Sequence, residues 1–161
     1  METAMDIMII LGSKSDMPVA EKAVTILKEF GADYKLTIAS AHRTPERVIK
    51  IAGRSGAKVF IAIAGMSAAL PGFVAAHTHR PVIGVPVSGK VNLDSILSVT
   101  QMPPGVPVAA VGLDAGENAA LLALQILAIS DKDIAQKLAS HRNTLKEKVL
   151  KDAGEIGDFD V

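Results

Sequence analysis

Ile38-Ala39-Ser40-Ala41-His42-Arg43-Thr44-Pro45 ends an apolar, β-branched run (Leu36, Thr37, Ile38) in a set of small and polar residues. Thr44-Pro45 reads as a helix start, with Thr44 as N-cap and Pro45 at the first helical position, where a missing N–H costs nothing. The stretch therefore joins the end of a strand to the beginning of a helix. In an open α/β sheet that junction is where ligands bind. Ser40, His42 and Arg43 thus set a hydroxyl, a titratable imidazole and a permanent cation side by side at a strand end.

The same rhythm continues outward from this junction. Ile7 to Leu11 is a continuous apolar run of strand length. Gly12-Ser13-Lys14-Ser15-Asp16 follows, and Ser15 or Asp16 is expected to cap a helix from about Met17 to Phe30. Val19, Ala23, Ile26, Leu27 and Phe30 share one face of that helix, and Gly31 ends it. The second strand, about Tyr34 to Ala39, delivers the opening stretch, and a helix from Pro45 to about Arg54 turns Val48, Ile49 and Ala52 inward. Lys58 to Ala64 and Pro81 to Val85 read as the third and fourth strands. Between them lie the small-residue loop Gly65 to Gly72 and a helix ended by Pro81. A short helix near Asn92 to Thr100 and a fifth strand from Val106 to Leu113 complete the pattern. Strands alternating with helices every 25 residues or so, at about the size of a flavodoxin, predict an α/β, flavodoxin-like, doubly wound parallel sheet of about five strands. One domain is expected over residues 1–161, with its core over about 7–129 and a charged C-terminal helix over about 131–151 that carries an exposed His141. The tail after Gly154 is expected to be loose.

The stretch from Gly116 to Ile129 has almost no polar face. As a helix it requires cover on all sides, for which packing between subunits is the expected source and a central place inside the monomer the alternative.

Composition narrows the function classes. Hydrophobic residues make up 49% and aromatic residues 3%, so Ala, Val, Ile and Leu fill the core, as suits a parallel sheet covered on both faces. Seventeen basic and seventeen acidic side chains balance, and no aromatic-studded basic patch marks a nucleic-acid partner. The absence of cysteine excludes disulfides and cysteine-ligated zinc. Met1 to Asp6 lacks the pattern of a secretory signal. The longest uncharged apolar run, Val59 to Ala76, is interrupted by Gly65, Pro71 and Gly72 and reads as strand plus loop rather than a membrane span. A cytoplasmic protein is expected.

Gly12 to Asp16 lacks both the Gly-Lys-Ser/Thr ending of a Walker A loop and the three glycines of a dinucleotide fingerprint. Its backbone N–H groups, two hydroxyls and one carboxylate suit a single phosphate and a pair of sugar hydroxyls; the plainer reading is helix capping alone. An imidazole at the position of His42 can both give and take a proton, whereas a lone histidine is otherwise structural or merely exposed. Arg43 offers bidentate binding of phosphate or carboxylate, or else a surface ion pair. His77 and His79 are two residues apart and so diverge on a helix, with no cysteine or carboxylate at ligand spacing to complete a metal site. Ser88, Ser95 and Ser98 lack a nucleophile elbow.

Taken together and in order, several motifs resemble the PurE family of purine biosynthesis, the N5-carboxyaminoimidazole ribonucleotide mutases. They are Gly12-Ser13-Lys14-Ser15-Asp16, Ser40-Ala41-His42-Arg43-Thr44-Pro45, Ala64-Gly65 with Leu70-Pro71-Gly72, Pro81-Val82-Ile83-Gly84-Val85-Pro86-Val87, Gln101-Met102-Pro103 and Asn118-Ala119-Ala120-Leu121-Leu122-Ala123. The resemblance runs from about Ile7 to Ile129. It implies a flavodoxin-like subunit in a homo-octamer, with no metal, nucleotide or biotin cofactor. The implied substrate is an aminoimidazole ribonucleotide carrying a carbamate, with CO₂ released and recaptured at ring carbon C4. By the same resemblance His42 is the catalytic group, Ser13, Ser40 and Arg43 hold the phosphate and neighbouring polar groups, and Asp16 holds the ribose hydroxyls. Gly65, Ser67 and Leu70, in the loop facing them, are expected to touch the substrate.

That loop departs from the family pattern. The usual mutase loop reads Ala-Gly-Gly-Ala-Ala-His-Leu-Pro-Gly, whereas this chain has Ala64-Gly65-Met66-Ser67-Ala68-Ala69-Leu70-Pro71-Gly72. Met66 stands for a glycine and Ala69 for the loop histidine. A related branch, which carboxylates aminoimidazole ribonucleotide directly with CO₂, has Ser at the Ser67 position and no histidine at the Ala69 position. That branch usually has Lys where this chain has Arg43. The motifs therefore favour the mutase, with direct carboxylation as the alternative and a non-catalytic nucleotide-binding relative as the alternative of another class.

Overall fold

A computed structural model describes residues 5–157. Five parallel strands, β1 (Ile7–Leu11), β2 (Tyr34–Ile38), β3 (Val59–Ala64), β4 (Val82–Pro86) and β5 (Ala109–Ala110), form one sheet in the order β2-β1-β3-β4-β5. The helices are α1 (Met17–Phe30), α2 (Pro45–Arg54), α3 (Leu70–Ala75), α4 (Asn92–Thr100), α5 (Gly116–Ala128) and α6 (Lys132–Ile156). This is the doubly wound, flavodoxin-like arrangement that the alternation of apolar runs predicts.

The two faces of the sheet follow from the alternation of side chains along each strand. Ile7, Ile9 and Leu11 of β1 join Ile61 and Ile63 of β3 in a core shared with Val19, Ala23 and Leu27 of α1 and Ala120, Ala123 and Leu124 of α5. Met8 and Ile10 point the other way, into a second core with Phe60, Val48 and Ala52 of α2, Leu70 and Val74 of α3, and Val99 of α4. Each fully buried Ile, Leu or Val contributes about 1.5–3 kcal/mol of apolar transfer free energy. Strands apolar on both faces are thus explained: neither face meets water.

Several boundaries differ from expectation, each for a local reason. Val106 to Leu113 is not a full strand, because only Ala109 and Ala110 pair, with Ile83 and Gly84. Pro103, Pro104 and Pro107 just before them have no N–H to give to a ladder. The helix between β3 and β4 starts within the small-residue loop, at Leu70, since Pro71 is tolerated in a first turn. It also stops at Ala75, well before Pro81. On α2, Ile49 is 42% exposed, and Ile51 packs against the core in its place. The last helix runs through Gly154 to Ile156, so the segment expected to be loose is partly helical, and residues 158–161 lie outside the described ones. His141 is half-buried rather than free, its ring centroid 5.6 Å from that of Phe30.

The uniformly apolar α5 finds most of its cover inside the chain. Ala119, Ala120, Ala123, Leu124 and Leu127 are buried, while Leu121, Leu122 and Ile126 are half-buried alongside Ile134 and Leu138 of α6. Ile129, just past its end, is 87% exposed. The larger uncovered apolar row lies on α6 instead, where Leu145, Val149, Leu150 and Ile156 are all exposed.

The contact between α1 and α5 depends on Gly116. A Cβ there would collide with the carbonyl oxygen of Val19 and come within 3.2 Å of the Ala23 nitrogen, both backbone atoms of α1 that cannot swing aside. Gly116→Ala is expected to lower unfolding free energy by about 2 kcal/mol, from the usual cost of overpacking. Gly53→Ala, in open space within α2, is expected to raise it by about 0.5–1 kcal/mol through helix propensity. Urea titration of the two variants checks both signs.

Candidate active site at the strand ends

The carboxyl ends of β1, β2 and β3 are held level by backbone pairing that continues one residue past the strands. Ala39 N donates to Leu11 O at 2.9 Å and Gly12 N to Ile63 O at 3.0 Å. The three following loops therefore converge beside β1 and β3, the point at which the strand order reverses and where an open sheet of this type leaves a crevice. They enclose a cavity of about 460 Å³. Ser13, Asp16, Ser40, His42, Arg43, Gly65, Ser67 and Leu70 all line it. Gly12, Ser15, Ala41, Ala64, Met66, Ala68 and Ala69 complete the wall.

The first loop is built by a capping box at Ser13, which precedes the N-cap position that Asp16 holds on α1. Ser13, with extended backbone, caps a single 3₁₀ turn over Lys14–Asp16, its hydroxyl accepting from Ser15 N at 3.3 Å. Asp16 completes the box by accepting from Ser13 N at 2.9 Å through Oδ2. It makes no side-chain cap to α1. Its other oxygen, Oδ1, accepts only a long 3.5 Å contact from Ser15 Oγ and so can accept from a ligand hydroxyl. Asp16 is buried, and that burial pushes its carboxyl above the usual value. The Ser13 N–H, the Ser15 hydroxyl and the Arg43 charge pull it back down.

The second loop is pinned from both sides. Thr44 makes no side-chain cap to α2; its Oγ1 instead accepts from Ser40 N at 2.9 Å. Ser40 Oγ accepts from Arg43 N at 3.2 Å and from Arg43 Nε at 3.4 Å, which leaves its own O–H to donate into the cavity. Arg43 Nη2 also donates to Gly12 O at 3.0 Å, tying this loop to the first. Arg43 is thus not the surface ion pair of the plainer reading, and its remaining guanidinium N–H groups can take an anion. His42 is exposed between them, and among the described residues none hydrogen-bonds its ring. It can turn toward whatever the cavity holds.

The third loop is strained. Ala68 N donates to Gly65 O at 3.0 Å, closing a four-residue turn whose first central residue, Met66, has φ 55°. Positive φ at that place favours glycine. Ala68 follows with φ 28°, and Ser67 stands exposed between the two.

The other histidines lie elsewhere. His77 Nδ1 is 2.7 Å from Phe73 O and its ring rests on Phe73, while His79 is exposed nearby on a separate surface hollow. Among the described residues no group of three or more His, Cys, Asp or Glu is placed to hold a metal ion. No helix among them is long and apolar enough to cross a membrane.

An arginine with free N–H groups, a weakly engaged carboxylate oxygen and an exposed imidazole are thus gathered at the crevice of a 2-1-3-4-5 sheet, the place where an open α/β protein takes its ligand. The chain belongs to the AIR carboxylase family, whose profile matches residues 6–148. It is 60% identical over 144 residues to the N5-carboxyaminoimidazole ribonucleotide mutase of Methanocaldococcus jannaschii, spanning 89% of this chain and 92% of that one. It is 45% identical to the phosphoribosylaminoimidazole carboxylase of Candida glabrata over 92% of this chain, but spans only 27% of that protein. The crystal structure of Treponema denticola PurE superposes with a TM-score of 0.86 at 35% identity, over 94% of this chain and 98% of the other.

Two stability measurements probe the loops. A carboxyl whose folded-state pKa is raised favours the fold below its unfolded value, and that contribution is lost as pH rises through the folded value. Asp16→Asn cannot ionise, so its melting temperature relative to the parent is expected to climb across that window and level off above it. Met66→Gly relieves about 1–2 kcal/mol of left-handed strain against about 0.5–1 kcal/mol of added freedom in the unfolded chain. A net gain of about 0.5–1 kcal/mol is expected from urea unfolding.

Proposed function

We propose that this chain moves the carboxylate of N5-carboxyaminoimidazole ribonucleotide from the exocyclic nitrogen to ring C4, giving 4-carboxy-5-aminoimidazole ribonucleotide in purine biosynthesis. The observation that supports this most is the sharing of one cavity by His42, Arg43, Ser40, Ser13 and Asp16 in a member of the AIR carboxylase family. Arg43, Ser13 and Ser40 hold the phosphate and adjoining polar groups, and Asp16 accepts from the ribose hydroxyls. Gly65, Ser67 and Leu70 meet the base and its carboxyl group.

One proton carrier suffices for the chemistry. Protonated His42 gives its proton to the exocyclic nitrogen as the nitrogen–carboxyl bond breaks and CO₂ leaves. Ring C4 attacks the CO₂, and the now neutral imidazole removes the C4 proton, so no net proton is exchanged. Holding CO₂ beside C4 makes its capture effectively unimolecular. The small side chains of Ala64, Gly65 and Ala68 let the base and CO₂ lie close to the loop and leave little room for water. The step balances without an added redox group, metal or nucleotide. The protein would act in the cytoplasm as a homo-octamer, with the exposed Leu145, Val149, Leu150 and Ile156 of α6 available as contact surface between subunits.

Direct carboxylation of aminoimidazole ribonucleotide is the second reading. It is favoured by Ser67 and Ala69 in the third loop and by the name of the Candida glabrata relative.

The deciding assay supplies the carbamate substrate and, separately, the uncarboxylated ribonucleotide with bicarbonate. Turnover of the first is expected; turnover of the second alone at physiological concentration would replace the mutase by the carboxylase. His42→Asn is expected to lose about 10²–10⁴-fold in kcat while binding ribonucleotide within a few-fold of the parent, and near-normal turnover would remove His42 from its role. Sedimentation is expected to show an octamer, and a stable monomer would contradict the assembly.

A further inference from the structure

The third loop carries an unexplained feature. Met66 holds φ 55° at a turn position suited to glycine and is 85% exposed, so no packing among the described residues offsets its strain. Strain that persists without local compensation concentrates at functional sites. The cavity it lines has otherwise short apolar walls, Ala41, Ala64, Ala68 and Ala69, and the remaining long apolar side chain, Leu70, is 2% exposed and committed to the core. Among the described residues Met66 is therefore the one long apolar side chain on the wall with freedom to move. It is unbranched and adaptable, able to lie over a ligand of irregular outline.

We propose that Met66 is a specificity-determining residue that folds over the reacting end of the bound ribonucleotide and keeps freed CO₂ from exchanging with solvent. This rests on the carboxylate-transfer reading above. CO₂ is small and apolar, and between its release and recapture it either meets C4 or diffuses out and is replaced from the medium. An apolar cover over the mouth favours the first course by excluding water. A glycine at this position leaves the same turn unstrained but uncovered. The chain thus meets the demand for a closed cage with a thioether where the usual mutase loop has no side chain. Met66 moves no proton and forms no bond; it changes how often carbon leaves, not how fast His42 works.

The test uses the full chain with carbamate substrate labelled with carbon-13 at the carboxyl, in buffer equilibrated with unlabelled bicarbonate and carbonic anhydrase. Uncatalysed exchange is subtracted, and the labelled fraction of the product carboxylate is read. The parent and Met66→Leu are expected to retain label. Met66→Gly and the polar, near-isosteric Met66→Gln are expected to lose it at least about threefold more often, because the cage is then open or wet. Equal retention in all four proteins overturns the role of Met66 alone. Leakage from Met66→Leu equal to that from Met66→Gly overturns it too. A parent that does not convert the carbamate, or whose product carries only medium carbon, overturns the transfer reading and this one with it. An independent measurement needs no turnover. Saturating product ribonucleotide is expected to slow peroxide oxidation of Met66 to the sulfoxide about threefold or more, as read by peptide mass mapping, by burying the thioether. An unchanged rate counts against the cover.

Discussion

The register of β1 between β2 and β3 is the constraint on which the rest depends. Because Leu11 is level with both Ile38 and Ile63, three unrelated loops leave the sheet at one height. A slip of one residue in either pairing would turn the apolar side chains of that strand to the opposite face and separate Ser40 from Gly12 by a full step. The two-sided core forbids such a slip, since Ile7, Ile9 and Leu11 fit one helix layer and Met8 and Ile10 the other. Site geometry and core packing are therefore one requirement.

Electrostatics in the site rest on division of labour within each polar group. Arg43 uses part of its guanidinium to join two loops and keeps the rest for a ligand. Asp16 uses Oδ2 to build the first loop and leaves Oδ1 weakly engaged. Ser40 accepts from Arg43 and still has a proton to give. Groups positioned by their own backbone need little reordering when a ligand arrives, which is the physical content of preorganisation.

Much of this was legible in the amino-acid sequence, for identifiable reasons. Strands buried on both faces appear as unbroken apolar runs, so β1, β3 and β4 were readable within a residue or so. Pro45, Gly31 and the apolar faces marked α1 and α2. Ala109-Ala110 has no strand propensity and pairs only because β4 offers an edge, so its true length was hidden. The box between Ser13 and Asp16 depends on a single 3₁₀ turn that no periodicity announces. The Arg43 bond to the Gly12 carbonyl spans 31 positions and leaves no local mark. At Met66 the replacement of an expected glycine was visible, whereas the backbone angle that makes it costly was not.

Gly116 has a consequence beyond stability. By letting the backbones of α1 and α5 come together, it seats the helix that follows the Ser13–Asp16 loop directly against its neighbour. On the opposite face Gly84 plays the same part, since a Cβ there would run into Val99 of α4 and Pro71 of α3. The crevice is therefore floored by close packing on both faces of the sheet, and the exposed side chains of His42 and Met66 stand free at its rim. A molecule settling there would meet a floor already at contact distance and a rim whose side chains can still turn.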